Sequence, residues 1–255
     1  RACGTGLDAL ITVANKIAVG QIEAGIGGGS DSTSDVPIAV SKKLRRRLLD
    51  FNRARTLGER IKSALKGFSF GEFKPEFPGV AEPRTGKSMG ESCEDMAKTW
   101  GIAREDQDRL AYESHQKAAA AYARGFFSDL VMPFRGLERD NILRPDTSLE
   151  KLATLKPAFD KRSGKGTLTA GNSTNLSDGA SAALLASEDW AKASGKEIQA
   201  DLADAQVAAI DFVGGEGLLM APAWAVAQLL KRNNLKLQDF DYYEIHEAFA
   251  AQVLC

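Results

Sequence analysis

A layered α/β fold is predicted by three observations. Helical stripes alternate with short strand-like runs, glycines gather where a run meets a turn, and 44% hydrophobic with 26% charged residues is a globular composition. The 255 residues amount to roughly 1.7 domains of ordinary size, so one large domain or two compact ones are expected. Between Gly4 and Gly20, the residues Leu7, Leu10, Ile11, Ala14, Ile17 and Ala18 fall on one side of a helix. Ala24 to Ser30 reads as a strand that runs into Gly27, Gly28 and Gly29, where the backbone must pass close to something that excludes a side chain.

From about Asp35 the composition changes. Lys42, Lys43, Arg45, Arg46 and Arg47 read as the solvated face of a helix whose seam is Leu44, Leu48 and Leu49, in preference to a phosphate or membrane site. A Phe-, Gly- and Pro-rich passage follows from Gly67 to Pro83. Helical patterning returns at Met89 to Trp100 and at Glu105 to Tyr122, with Gly125 as a stop, and Leu130 to Phe134 could be a short strand. Beyond Pro157 the text is loop-like through Gly164, Gly166, Gly171, Asn172 and Asp178. Ala182 to Ala186 then reads as a buried strand and Glu188 to Ala193 as a helix. Ile198 to Phe212 is strand-like, Ala221 to Arg232 helical, Tyr242 to Ile245 a short strand, and Glu247 to Val253 another helix.

Charge and cysteine usage narrow the function. Lys plus Arg number 33 against 34 Asp plus Glu, a net charge of -1, so no global basic field exists to hold nucleic acid. Cys3, Cys93 and Cys255 contain no CxxC pair, which argues against a disulfide framework or a structural zinc and for a reducing compartment. Asn15, Lys16, Gln21 and Glu23 interrupt the most apolar stretch, leaving no transmembrane run. The chain opens at Arg1 without Met, so targeting is not read from its terminus.

Cys3 precedes Gly4, Thr5 and Gly6 at the start of the first helix, where backbone N–H groups and the helix dipole favour a thiolate. Taken alone it reads better as a small buried hydrophobe, because free Cys is among the most buried residue types. Its surroundings reverse that. ACGTGLDAL, GGGSDSTSD, SMGESCEDMA with IAREDQD and SHQKAAAAY, the TAGNST and SDGASA loop, and EIHEAFAAQ occur in one order over essentially the whole chain. Together they resemble the thiolase family, and among its branches the bacterial acetyl-CoA acyltransferases of fatty-acid β-oxidation.

The resemblance implies an αβαβα layered fold of two duplicated halves, here truncated at both ends. It places residues 1–34 and 177–195 in the first core half, a CoA-binding loop domain at 35–176, and the start of the second half at 196–255. It implies that Cys3 is the acyl-accepting nucleophile in thiolysis of a 3-ketoacyl-CoA, or in the reverse condensation, with coenzyme A as co-substrate and no permanently bound cofactor or metal. His246, in HEAF where many thiolases carry NEAF, is implied to donate to the oxygen on which enolate charge develops. The alternative for His246 is a cap on the strand-to-helix junction.

Met89, Phe159, Ala170, Thr174, Leu218 and Phe249 match positions near the CoA arm or acyl pocket, with turn chemistry and core packing as the alternative for the loop residues. Ser88 stands where a His often precedes the family's Met-Gly. His115, mid-helix, is read as a packing residue, and Cys93 and Cys255 have no catalytic context.

The GHP and Cys-x-Gly segments that supply the family's acid and base are not found, and His115 and His246 are the only histidines. The chain as given is therefore expected not to complete turnover alone and to expose apolar surface. A non-catalytic acyl-CoA- or lipid-binding relative is the second reading, and a ketosynthase is disfavoured by HEAF and the long insert. A homo-oligomer, a β-oxidation hydratase/dehydrogenase partner and a bacterial cytoplasmic location, with mitochondria as the alternative, follow from the resemblance only.

Overall fold

The computed structural model describes residues 3–255 and is mixed α/β, with its chain divided into two compact units. The larger takes the chain up to Ser30, then Ala81–Leu176 and Ala180–Cys255, while the smaller is Asp31–Val80 with Ser177–Gly179.

The larger unit opens with α1 (Thr5–Ala18), which carries the expected apolar stripe, and β1 (Ala24–Asp31), which pairs with β2 (Gly179–Ala186). The glycine run of β1 has a steric cause. A Cβ on Gly27 would lie 2.8 Å from the Leu10 side chain of α1, and one on Gly28 would lie 2.3 Å from the Ser181 carbonyl oxygen of β2. The stripe of α1 borders an open cleft of about 290 Å³ lined by Leu10, Ile11, Leu185, Leu202 and Leu229. Leu7, Ile26 and Leu184 are more than half exposed, in line with the expected apolar surface. β2 is not the buried strand its apolar run suggested: Ala182, Ala183 and Leu184 are exposed and Leu185 and Ala186 half-buried, because among the described residues the sheet has two strands.

In the smaller unit α2 (Lys42–Arg53) is capped by the Ser41 hydroxyl, and α3 (Leu57–Leu65) begins with a reciprocal Thr56 and Glu59 capping box. The basic run is less uniformly solvated than its pattern suggested. Arg47 turns inward, donating from Nε and Nη2 to both oxygens of buried Glu72 at 2.9 and 2.8 Å, and from Nη1 to the carbonyls of Ser63, Ala64 and Lys66. Leu44 is buried, yet Leu48 and Leu49 of the expected seam are 53% and 48% exposed. A guanidinium that caps the carbonyl end of α3 takes the inner position they were assigned.

The larger unit resumes with α4 (Met89–Thr99), whose capping box joins Ser88 to Glu91, and α5 (Arg104–Ala123), closed by Gly125 at φ +75°. After them come α6 (Leu149–Ala153), β2, α7 (Glu188–Ala193), α8 (Ala221–Asn233) and α9 (Ala250–Leu254). Cys93, Ala97, Leu168 and Ala251 form a core cluster against which Ile102, Phe159, Leu219 and Phe249 pack.

Three expected strands do not form. Residues 130–134, 198–212 and 242–245 contain no strand, apart from a bridge of Phe134 to Leu137, and β1 and β2 are the paired strands among the described residues. A strand-like pattern becomes a strand when a neighbour takes its N–H and C=O groups, and these runs have no such neighbour here. The last helix also begins at Ala250 and not at Glu247, because the backbone before it is engaged elsewhere.

Gly28→Ala in the full-length protein is expected to lower stability by about 1–3 kcal/mol, since the obstructing atom is backbone and β1 cannot yield without losing β2. Gly58→Ala, which meets nothing within 4 Å, serves as the tolerated control. Urea denaturation midpoints of the two variants measure the difference.

Candidate active site

Two buried carboxylates organise the segment that the motifs single out. Glu94 is 2% exposed, on the side of α4 that carries Gly90 and Ala97. It accepts from the backbone N–H of Thr167 at 2.8 Å, the Thr167 hydroxyl at 3.0 Å and the N–H of Leu168 at 3.0 Å. Asp108 of α5, 4% exposed, accepts from Arg104 Nε at 2.7 Å one turn earlier and from Asn172 Nδ2 at 2.9 Å. Arg104 also donates to the carbonyls of Leu152 and Leu155. Asn172, 3% exposed, closes the turn on itself by accepting from the N–H of Thr169 at 2.7 Å and donating to the Thr167 carbonyl at 3.2 Å.

The chain that leaves this turn pairs with the HEAF segment. The N–H of Thr174 donates to the Ala248 carbonyl at 2.8 Å, the N–H of Ala250 donates to the Asn172 carbonyl at 3.0 Å, and Ser173 and Phe249 form an antiparallel bridge. Phe249 meets Phe159 edge to face, with ring centroids 5.8 Å apart. Gly90 lies against the Phe159 ring, where an added Cβ would fall 2.0 Å from a ring carbon. Gln252 of α9 donates to the Leu219 carbonyl at 3.4 Å, next to half-buried Leu218. Four sequence-predicted positions, Phe159, Thr174, Leu218 and Phe249, thus belong to one packed region, with Ala170 exposed on the adjoining turn and Met89 half-buried at the start of α4.

His246 lies just upstream of this pairing. Its imidazole is exposed, its carbonyl accepts from the N–H of Ala248 at 2.9 Å, and its neighbour Glu247 accepts from the Ser114 hydroxyl of α5 at 2.6 Å. It does not cap α9, whose N-cap is Phe249 with no side-chain bond. Cys3 is exposed in the turn before α1, whose N-cap is Gly4, and among the described residues it makes no hydrogen bond to the His246 region. Ser173 Oγ is shielded from solvent and lacks a partner among the described residues.

The remaining candidates separate by environment. Cys93 is fully buried, and burial, reinforced by the nearby Cys255, pushes its thiol up to about 12. Burial also raises Cys255. Neither is a ready thiolate. His115 accepts through Nδ1 from the N–H of Arg144 at 3.3 Å, which agrees with a packing role. No group of three or more His, Cys, Asp or Glu that could hold a metal occurs among the described residues, and no described helix is long and apolar enough to cross a membrane.

Sequence reasoning missed Glu94, Asp108 and the Ser114 to Glu247 bond. The signal for Glu94 was its i+4 and i−3 spacing from Gly90 and Ala97, which puts a carboxylate on a helix's buried side.

Comparison with known proteins decides the family. The model of the thiolase N-terminal domain matches residues 1–189, and that of the thiolase C-terminal domain matches residues 196–255. The chain belongs to the thiolase family. It is 44% identical to a 3-ketoacyl-CoA thiolase of Shewanella sediminis and 45% identical to one of Pectobacterium carotovorum, in each case over 100% of this chain and 58% of the relative. Among solved thiolases, the human mitochondrial 3-ketoacyl-CoA thiolase in complex with CoA superposes with a TM-score of 0.78 at 29% identity, covering 99% of this chain and 59% of that one. The Ascaris suum Acat5 thiolase in complex with coenzyme A gives 0.80 at 28% identity, over 99% and 60%. The chain therefore spans about 58% of the length of the curated thiolases it matches.

Two further thiolase motif segments meet inside the smaller unit. Asp178 Oδ1 accepts from the N–H groups of Thr33 and Ser34 at 2.7 and 2.9 Å and from the Thr33 hydroxyl at 3.2 Å. Hydrogen bonding from Ser34, through its hydroxyl and its N–H, and from the N–H of Thr33 holds this carboxyl at about 2. An unfolded Asp titrates near about 3.9, so the contribution of this clasp is full above that pH and is lost as pH falls toward the folded value. Amide hydrogen exchange at Thr33 and Ser34, taken relative to the intrinsic rate at each pH, is expected to lose protection as pH is lowered from about 4 to about 2, and Asp178→Ala is expected to remove most of that pH dependence. A profile unchanged by the substitution would mean that Asp178 does not hold the loop.

Proposed function

We propose that the full-length protein is an acetyl-CoA C-acyltransferase that cleaves 3-ketoacyl-CoA with CoA, or runs the reverse condensation. The observation that carries the reading is the joining of two segments: Asn172 to Thr174 and Ala248 to Ala250 form one hydrogen-bonded unit beside Phe159 and His246. The match to 3-ketoacyl-CoA thiolases over the whole chain supports the reaction class.

In this reading the Cys3 thiolate attacks the 3-keto carbon of the substrate. The bond between C2 and C3 breaks, its electron pair passes to C2 of the departing acetyl-CoA enolate, and the shortened acyl group remains on Cys3 as a thioester. The thiol of a second CoA then attacks that thioester, forming the new acyl-CoA and returning the sulfur of Cys3. A thiolate serves both steps because it attacks well and leaves well. His246 donates to the oxygen that carries the developing enolate charge.

Exposed Thr174 and Ala170, with the orphaned Ser173 hydroxyl and the Phe159 ring, line the path of the CoA arm, Met89 borders the acyl pocket, and Leu218 and Phe249 complete the substrate- and CoA-binding surface. The region 35–176 provides the CoA-binding domain, between core segments 1–34 with 177–195 and 196–255. Completing the cycle requires a base that accepts the Cys3 proton and an acid that protonates C2 of the departing enolate, and no residue of this chain is assigned to either role. A homo-oligomer, a β-oxidation hydratase/dehydrogenase partner and a bacterial cytoplasmic location, with mitochondria as the alternative, follow from the family alone.

In the full-length enzyme, mass spectrometry is expected to find an acyl adduct on Cys3 during turnover of acetoacetyl-CoA and of a longer 3-ketoacyl-CoA, and Cys3→Ala is expected to abolish both turnover and adduct. His246→Ala is expected to lower kcat by about 10²–10³, the usual effect of removing one oxyanion donor. Full turnover by the Cys3 variant would rule the mechanism out.

A further inference from the structure

Asp108 is a charge buried at the foot of the segment that carries His246, and the reaction above does not use it. Burying an Asp with an Arg is poor value as a stabiliser, since desolvation of the two ions offsets most of their attraction. What a fully hydrogen-bonded buried carboxylate supplies is a fixed direction. Asp108 directs Asn172 through the 2.9 Å bond to Nδ2, and among the described residues the other partners of the Asn172 side chain belong to its own turn. The backbone of Asn172 and Thr174 in turn holds Ala250 and Ala248, and the N–H of Ala248 holds the carbonyl of His246.

The other end of the same segment is fastened to the same helix. Ser114 lies six residues after Asp108 on α5, about 9 Å along its axis, and donates to Glu247 at 2.6 Å. One rigid helix therefore fixes the segment at two points after His246, directly at Glu247 and through Asn172 at Ala250.

We infer that Asp108, acting through Asn172, and Ser114, acting through Glu247, are positioning residues that set where the His246 imidazole stands. This inference rests on the assignment of His246 as the oxyanion-site donor. Neither residue touches substrate. Each fixes the backbone from which the donor projects, and a displacement of about 1 Å in such a group costs on the order of 10²-fold in rate.

A double-mutant cycle in the full-length enzyme tests the inference. Asp108→Asn keeps the size of the side chain but places an amide where Arg104 requires a carboxylate. It is expected to lower kcat about 10- to 100-fold while KM for CoA and for the 3-ketoacyl-CoA changes less than about threefold. In a His246→Ala background the same substitution is expected to cost less than about threefold, because there is no longer a donor to misplace.

Equal losses in both backgrounds, or no loss in either, would overturn the inference while leaving the function intact. A His246→Ala enzyme with unchanged kcat would overturn the donor role and the inference with it, whereas an intact effect of His246→Ala without coupling removes the positioning role alone. If Asp108→Asn does not fold, Ser114→Ala at its half-buried site carries the cycle. Its expected loss is about three- to tenfold, confined to the His246 background, and an uncoupled loss there overturns the inference.

Discussion

The antiparallel pairing of Asn172, Ser173 and Thr174 with Ala248, Phe249 and Ala250 is the constraint on which the larger unit turns. It joins residues far apart in sequence with two backbone hydrogen bonds, and two bonds alone would not repay the entropy of ordering both loops. The pairing persists because each side is fixed beforehand. Glu94 and Asp108 hold the 167–172 turn from below, and Phe159, packed over Gly90, presses on Phe249. With the backbone before Ala250 committed to this pairing, α9 starts three residues later than its sequence pattern suggested.

Two carboxylates in an interior carry a desolvation penalty, and each is matched donor for donor. Glu94 receives two backbone N–H groups and a hydroxyl, and Asp108 receives a guanidinium and an amide. Backbone N–H groups in a turn have no helix or sheet partner, so a carboxylate that accepts them does for the loop what a ladder does for a strand. The smaller unit uses the same device. Glu72 with Arg47 ties α2 to the end of α3, and Asp178 gathers the N–H groups of Thr33 and Ser34.

The cysteines show how position decides chemistry. Cys93 sits in the core cluster, where the absence of solvent keeps its proton on and leaves the sulfur as a small apolar group. Cys3 is exposed beside the first turn of α1, open to an incoming electrophile. The same side chain serves packing in one place and, in the proposed mechanism, nucleophilic attack in the other.

Much of this was legible in the residues. Helices announce themselves because their hydrogen bonds are local, so the stripe from Leu7 to Ala18, the patterned runs at Met89 to Trp100 and at Glu105 to Tyr122 with Gly125 as a stop, and the run from Glu188 to Ala193 located α1, α4, α5 and α7 to within a residue or two. The glycines of β1 and the ordered motifs from ACGTGLDAL to EIHEAFAAQ likewise pointed to a close backbone contact and to the thiolase family. Strands announce only their side-chain pattern, and the runs at 198–212 and 242–245 had the pattern without the partner. Burial of charge was equally silent, since Glu94 and Asp108 look like any helical acid until a distant turn supplies their donors. Local hydrogen bonding and sterics are written into neighbouring residues, whereas pairing and desolvation are properties of groups that meet only when the chain has folded.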